Sequence, residues 1–435
     1  FVRLRQRKAY IEMAAEENRL DRPRIGILLG SLEAGGAQRM GLELARGLLR
    51  AGYEVRLICL DRDRAMALSG SKAEQYALEQ RLIVLGDGRT SASTVAKALA
   101  FPRLHRRLEL LIAQARLHLV ISFMERANLV NLLGRRSVLR ILSVRKHIGE
   151  GLRDNPPLKR WLVRSGYRFL LHRAHAVTFN ARSSATDFVR HFPVKSDTVY
   201  VIPNSVDPAI RTLADTRLTI LDRCPFGPAT LVTAGRMVYQ KGHMPLLRAF
   251  ARVVEHMPVA QLVVLGDGPM RQSLASAAQT LRIADSVTFA GFQANPYPWI
   301  AAGTAFALPS RYEGFPNALL EAMLLSRAVV AADCPSGPRE LLSPNSAEGS
   351  VASGIEFAPY GLLVPTMPDL DLPLSASLTA SEGALAQAII LLLDDARLRA
   401  RYAAQAARRA GNYHPSAVLQ KWLSLIDLCL DRPGL

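Results

Sequence analysis

Cysteine is scarce: only Cys59, Cys224, Cys334 and Cys429 occur in 435 residues. They lie far apart with no C-x-x-C pair, which argues against a disulfide framework or a structural zinc site and fits a reducing compartment. Long apolar runs are missing too. Nothing approaches the ~18 residues that a spanning helix requires, the nearest being stretches such as Ala388–Leu393, so an integral membrane protein is not expected. The charged segment Arg3–Arg24 has no apolar core of the kind a secretory signal carries. No internal repeat of fixed period appears. Acidic residues run short, 37 Asp+Glu against 55 Lys+Arg, for a formal net charge of +18. What the chain does have is apolar material, 49% of its residues, enough to build large cores and to exclude a wholly disordered chain. Its length favours two or three domains, because a single core stops growing near ~250–300 residues.

The charge is unevenly placed. Residues 1–200 hold 36 Lys/Arg and 18 Asp/Glu, whereas residues 201–435 hold 19 of each. The whole excess therefore sits in the first half, concentrated in Arg103–Arg116 and Lys159–Arg173, where arginines alternate with Leu, Trp, Tyr and Phe. An anionic partner, nucleic acid or an anionic lipid surface, is expected to meet that half.

Both halves read as α/β. Ile25–Gly30 is an apolar run, a glycine-containing turn follows, Met40–Ala51 has helical periodicity, and Val55–Leu60 is a second run, which together describe a βαβ unit and a parallel sheet. Further strands are expected at Arg81–Leu85, Leu117–Phe123, Arg140–Val144, Ala176–Phe179 and Thr198–Ile202. In the second half Thr230–Ala234, Gln261–Leu265, Ser286–Phe289, Thr304–Leu308 and Ala328–Ala332 alternate with helical patterns. Two doubly wound sheets facing one another would put their carboxyl-end crevices on one cleft. Asn204–Pro228 reads as the connection between domains, and Ser343–Leu374, rich in Ser, Pro and Gly, as loops.

Four features of the second half carry chemistry. In Gly235-Arg-Met-Val-Tyr-Gln-Lys241-Gly242, after a strand, Arg236 and Lys241 can converge on one anion. Gly266-Asp-Gly268-Pro269 allows close backbone approach before a helix with free N–H groups. In Ser310-Arg-Tyr-Glu313-Gly-Phe-Pro316-Asn-Ala-Leu-Leu-Glu321, Pro316 suits the first turn of a helix, so the two glutamates stand on the order of 12 Å apart along its axis. That span suits an extended sugar nucleotide, with the helix N-terminus between the carboxylates facing its diphosphate. Asp333-Cys-Pro-Ser-Gly-Pro-Arg339-Glu340 is a turn that would rim the cleft.

These motifs, in this order and with Gly30-Ser-Leu-Glu-Ala-Gly-Gly-Ala-Gln-Arg39, Val287-Thr-Phe-Ala-Gly-Phe292 and Val201-Ile-Pro-Asn-Ser-Val-Asp207, resemble glycosyltransferase family 4 from Arg24 to about Leu425. The resemblance implies a GT-B fold: an acceptor-binding Rossmann-like domain over residues 22–203, a nucleotide-sugar-binding one over 204–412, and a terminal helix in 413–435 returning to the first domain. It implies that Arg236 and Lys241 hold the donor diphosphate, that Glu321 binds ribose hydroxyls, and that Glu313 contacts the donor sugar. Gly268 would lie against the donor, Gly291 and Phe292 beside the nucleobase, and Gly36 would lend a backbone N–H to the phosphates. Pro316 stands where many members carry glycine and removes one donor, leaving Asn317 and Ala318 to suffice. On the acceptor side, His147 is the candidate contact, with Arg145 competing and Asn128 nearby.

The implied activity is transfer of a sugar with retained configuration from a nucleotide-diphosphate sugar, such as a UDP-N-acetylhexosamine, to a lipid-linked or glycan acceptor in polysaccharide or glycan assembly. No cofactor is expected. The triplets Asp61-Arg-Asp63 and Asp369-Leu-Asp371 sit away from where a metal-dependent transferase carries one, so metal independence is expected as well. The basic first half then reads as docking an enzyme of the cytoplasm on the inner face of the cytoplasmic membrane, through stretches such as Leu158–Phe169. Three rivals are a transferase with a water-soluble acceptor, a nucleotide-sugar epimerase of the same fold, and a nucleic-acid-binding protein. The last explains the charge but gives no reason for the two glutamates in the neutral half.

Overall fold

The computed structural model describes residues 23–431 apart from 33–34, 62–71, 87–95, 97–98, 135–137, 154–155, 216–225, 348 and 369–371. Residues 1–22, Cys224, Asp63 and the Asp369-Leu-Asp371 triplet thus lie outside the described residues.

The first sheet comprises β1 (Arg24–Leu29), β2 (Glu54–Cys59), β3 (Leu82–Val84), β4 (Leu119–Phe123), β5 (Leu139–Val144), β6 (Ala176–Phe179) and β7 (Val199–Val201), ordered β3-β2-β1-β4-β5-β6-β7 and parallel throughout. The second comprises β8 (Thr230–Ala234), β9 (Gln261–Leu265), β10 (Val287–Gly291), β11 (Ala305–Leu308), β12 (Ala328–Ala332), β13 (Glu356–Ala358) and β14 (Gly361–Val364), ordered β10-β9-β8-β11-β12-β14-β13. Helices cover both faces, which is why central strands such as β4, β5 and β12 are apolar along almost their whole length and buried at every position. In each sheet the order reverses beside the first strand, between β1 and β4 and between β8 and β11. The crevice at the carboxyl ends of such a switch point is where open α/β sheets bind ligands.

The helices that position the site are α1 (Gly36–Arg50), α2 (Glu125–Leu132), α3 (Pro157–Leu170), α4 (Arg182–His191), α5 (His243–His256), α6 (Asn317–Leu324), α7 (Pro338–Leu342), α8 (Ala380–Asp394), α9 (Ala396–Gly411) and α10 (Pro415–Leu430). The last of these leaves the second sheet and packs on the first. Val418, Trp422, Leu425, Ile426 and Cys429 share one buried cluster with Ile25, Ile27, Leu48 and Ile121.

Two segments differ from expectation. Ser343–Leu374 is not all loop: β13 and β14 form an antiparallel hairpin, and β14 pairs in parallel with β12, with Leu362, Leu363 and Val364 buried. Strands of three and four residues among Ser, Pro and Gly are too short to show a period. Within Asn204–Pro228, residues Val206, Ile210 and Ala214 already belong to a buried cluster of the second domain.

Candidate active site

Three loops at the carboxyl ends of β8, β9 and β10 are stapled together by backbone hydrogen bonds. Gly235 N–H donates to Leu265 O (2.9 Å), Met237 N–H to Asp267 O (2.8 Å) and Gly266 N–H to Gly291 O (2.8 Å). The first loop is then tied across the switch point to the loop after β11. Arg311 N–H donates to Gln240 O (2.8 Å) and Gln240 Nε2 to Tyr312 O (2.9 Å). These ties bring Lys241 Nζ to 2.6 Å from Glu313 Oε1, which also accepts from Ser310 Oγ at 2.7 Å. Glu313 is only 5% exposed. A carboxylate that deep is tolerated because a cation and a hydroxyl both meet it. Arg236 is exposed in the same loop as Lys241.

Glu321, in the second turn of α6, is buried and pairs across the cleft with Arg39 of α1, NH1 to Oε1 2.7 Å. Arg39 also holds Glu43, which accepts from Ser205 Oγ at 2.8 Å. Burial raises the Glu321 carboxyl above its usual range against the pull of Arg39. The neighbouring Tyr297 hydroxyl is pushed up to about 12, first by burial and then by the Glu321 charge. The residues that complete this network, Arg39, Glu43, Tyr297 and Ser205, are ones the sequence did not single out. The available signal was Arg39, one helical turn after Gly36 within a motif already quoted.

Glycines let the two domains touch here. A Cβ on Gly36 would come 2.9 Å from Asn317 Nδ2, and one on Gly314 would come 2.0 Å from Arg145 O. The Asn317 side chain also accepts from Asn204 Nδ2 at 2.6 Å. Its backbone N–H is turned back onto Phe315 O at 3.0 Å. Asn317 is therefore engaged within the protein at both its backbone and its side chain, contrary to the expectation that its N–H serves the donor. Ala318 follows in the first turn of α6, where N–H groups lack intrahelical acceptors. Gly268 packs against the Met237 backbone, Gly291 has φ +72°, and Phe292 is 68% exposed beside it.

On the acceptor side two candidates are buried. Arg145 is buried: its guanidinium donates to Ile202 O and Asn204 Oδ1 and lies over the Phe123 and Trp422 rings at 5.2 and 6.0 Å. Burial pulls it down to about 9. Asn128 is fully buried in a network with Ser122, Ser143 O and the Tyr167 hydroxyl. Both side chains are thus engaged inside the first domain. His147 is half-buried, its Nδ1 accepting from Glu150 N–H and 3.4 Å from Asp187 Oδ2. It is one residue beyond Lys146, whose backbone Gly314 touches.

The Asp333–Glu340 turn does two jobs. Asp333 is buried and clamped by Arg339, with Ala352 N–H at 2.7 Å. Glu340 crosses to the first domain and caps α4, accepting from Arg182 N–H (2.9 Å) and Ser183 N–H (3.0 Å). Asp61, from the first triplet, pairs with Arg126.

A family model described as Glycosyltransferase Family 4 matches residues 34–210, and one described as Glycosyl transferases group 1 matches residues 228–365. Both halves of the chain thus carry glycosyltransferase sequence, and the protein is a glycosyltransferase. The transferase is 25% identical over 393 residues to N-acetylgalactosamine-N,N'-diacetylbacillosaminyl-diphospho-undecaprenol 4-alpha-N-acetylgalactosaminyltransferase of Campylobacter jejuni, covering 89% of this chain and 94% of that protein. It is 28% identical over 272 residues to an uncharacterized glycosyltransferase of Methanocaldococcus jannaschii, an alignment that spans 60% of this chain and 65% of that protein. Among solved structures, sucrose-phosphate synthase from Thermosynechococcus elongatus matches with a TM-score of 0.74 at 18% identity, covering 94% of this chain and 99% of that one. Anabaena HepE in complex with UDP and glucose matches at 0.69 and 18%, covering 93% and 99%. At that identity the likeness establishes the shared GT-B fold of this transferase.

Proposed function

We propose that this glycosyltransferase moves a hexosyl group, with retention and without a metal, from a UDP-N-acetylhexosamine to a lipid-linked acceptor at the cytoplasmic membrane face during glycan assembly. The observation that carries the donor half is the Lys241–Glu313 pair at the β8/β11 switch point, with Arg236 in the same loop as Lys241 and α6 beginning four residues after Glu313. Breaking a sugar–phosphate bond makes a cation-like sugar and an anionic diphosphate. Arg236, Lys241 and the N-terminus of α6 are cations and dipoles fixed beforehand where that anion forms. Glu313 faces the sugar side, and Glu321 would exchange Arg39 for ribose hydroxyls. Retention follows if the departing phosphate oxygen takes the acceptor proton on the face it leaves, so no protein base is compulsory. The choice of a lipid-linked acceptor is supported by the Campylobacter relative's diphospho-undecaprenol substrate.

Thermal unfolding with UDP-, GDP- and ADP-sugars in EDTA tests the donor site. At a hundred times Kd a ligand adds ~2.7 kcal/mol, a rise on the order of 5–10 °C for a domain of ~200 residues. The rise is expected with the UDP-sugar and should shrink in Glu321→Ala. Absence of any rise with all three sugars would overturn the proposal.

The membrane half rests on α3. At about 100° per residue, Leu158, Trp161, Arg168 and Phe169 share its outer ridge, and the three apolar side chains are 47%, 62% and 68% exposed. Aromatic anchors among cations suit an anionic lipid surface. Trp161→Ser with Phe169→Ser is expected to lower partition onto phosphatidylglycerol vesicles at least tenfold in co-sedimentation. Unchanged partition would remove α3 from the docking surface. Among the described residues no helix is long and apolar enough to cross a membrane.

A further inference from the structure

We infer that the pocket between the Ile148–Arg153 helix, α3 and α4 binds the phosphate that joins the acceptor's sugar to its lipid. The inference rests on the lipid-linked acceptor proposed above and locates the group that such an acceptor must carry.

The pocket has a volume of about 510 Å³, within the ~300–1,000 Å³ typical of small-molecule sites. One wall is α3. Arg160 and Arg164 line it, four residues apart and so one above the other on the same flank. Neither has an ion-pair partner among the described residues. The facing wall is α4 with the loop after β5. Here Asp187 Oδ2 accepts from Gly149 N–H at 2.8 Å, and its carboxylate lies 3.4 Å from Nδ1 of both His147 and His191. Gly149 N–H occupies one oxygen of that carboxylate, while the His147 and His191 Nδ1 atoms are engaged with Glu150 N–H and Asp187 O. Glu150 also lines the pocket. Two guanidiniums on one flank, with imidazoles opposite, are the groups that bind phosphate oxygens by charge-assisted hydrogen bonds.

Position argues for the same occupant. His147 is next to Lys146, which the donor loop touches at Gly314. The exposed ridge of α3, with Leu158, Trp161 and Phe169, is on the same helix as the two arginines. A saccharide at His147 and a hydrocarbon chain at that ridge would leave this pocket to the phosphate, which joins sugar to hydrocarbon in a lipid-linked saccharide. A phospholipid headgroup offers the same chemistry from the bilayer.

The test is calorimetric titration of geranyl diphosphate, a soluble isoprenyl diphosphate, into protein saturated with UDP so that the donor phosphate site is filled. Wild type should bind. Arg160→Gln with Arg164→Gln should weaken binding at least thirty-fold, and His191→Gln by a smaller factor, with UDP affinity and melting temperature unchanged in each. If partition onto phosphatidylglycerol vesicles stays within about threefold in the double variant, the phosphate is the acceptor's. If it falls in step with the diphosphate, the same site serves a bilayer headgroup. A wild type that does not take geranyl diphosphate while still binding UDP, or a double variant that binds it as wild type does, overturns the pocket assignment. Failure to bind any nucleotide sugar would instead overturn the donor proposal and leave the pocket result standing by itself.

Discussion

Lys241→Met is expected to lower kcat by roughly 10²–10³-fold, the cost of removing one pre-arranged donor at a developing anion. The loss should fall about equally on kcat/KM, because the contact strengthens as the diphosphate departs. A second effect travels with it. Lys241 Nζ is 2.6 Å from Glu313 Oε1, and the Glu313 side chain is only 6% exposed. Removing the cation leaves that carboxylate with Ser310 Oγ as its remaining side-chain donor. Stripping one partner from a fully buried pair costs ~3–5 kcal/mol; the Lys241 side chain is 22% exposed, so water will reduce the penalty. Lys241→Met with Glu313→Gln separates the two effects. The double variant should regain melting temperature, since the unpaired charge is gone, yet stay as slow as the single variant or slower. Single-turnover rates beside melting curves decide it. A single variant within threefold of wild type would remove Lys241 from the chemistry.

The second large effect is expected from the end of the chain. Trp422 is 3% exposed, its ring 6.1 Å from Phe123 and 6.0 Å from the Arg145 guanidinium. Trp422→Ala should destabilise the first domain by ~3–5 kcal/mol, the usual cost of emptying so large a buried site, and should also loosen Arg145. Removing residues 415–431 takes Val418, Leu425, Ile426 and Cys429 as well. At ~1.5–3 kcal/mol for each large apolar side chain, the total rivals the ~5–15 kcal/mol that holds a whole domain together. Calorimetry should show the first-domain transition lost and the second-domain transition retained. A truncated chain with both transitions in place would refute the role of α10.

Where apolar runs were long enough, strands could be read closely from sequence. Ala176–Phe179, Gln261–Leu265 and Ala328–Ala332 occupy those bounds in the structure, because strands covered on both faces leave no ambiguity of period. That Lys241 and Glu313 come together, 2.6 Å apart, accords with each lying in a loop after a strand. Arg145 was not legible. An arginine closing an apolar strand looks like a cleft residue until Trp422, far away in sequence, is seen to cover it. The Arg39–Glu321 pair was hidden for the same reason, its partners standing 282 residues apart. Asn128 misled because a polar side chain after a strand suggests exposure, whereas Tyr167 and Ser122 satisfy it in the interior.

The return of α10 means that the polypeptide passes between the domains twice, near Asn204–Val206 and again near Tyr413–Pro415. Val206 N–H donates to Tyr413 O at 2.9 Å, pinning the two passages together. A joint with two adjacent knuckles turns about one axis and resists twisting about the others. Anyone exchanging acceptor domains between such enzymes must therefore cut the gene at both crossings and move two pieces, because a graft that ends at the first crossing leaves its own core uncapped.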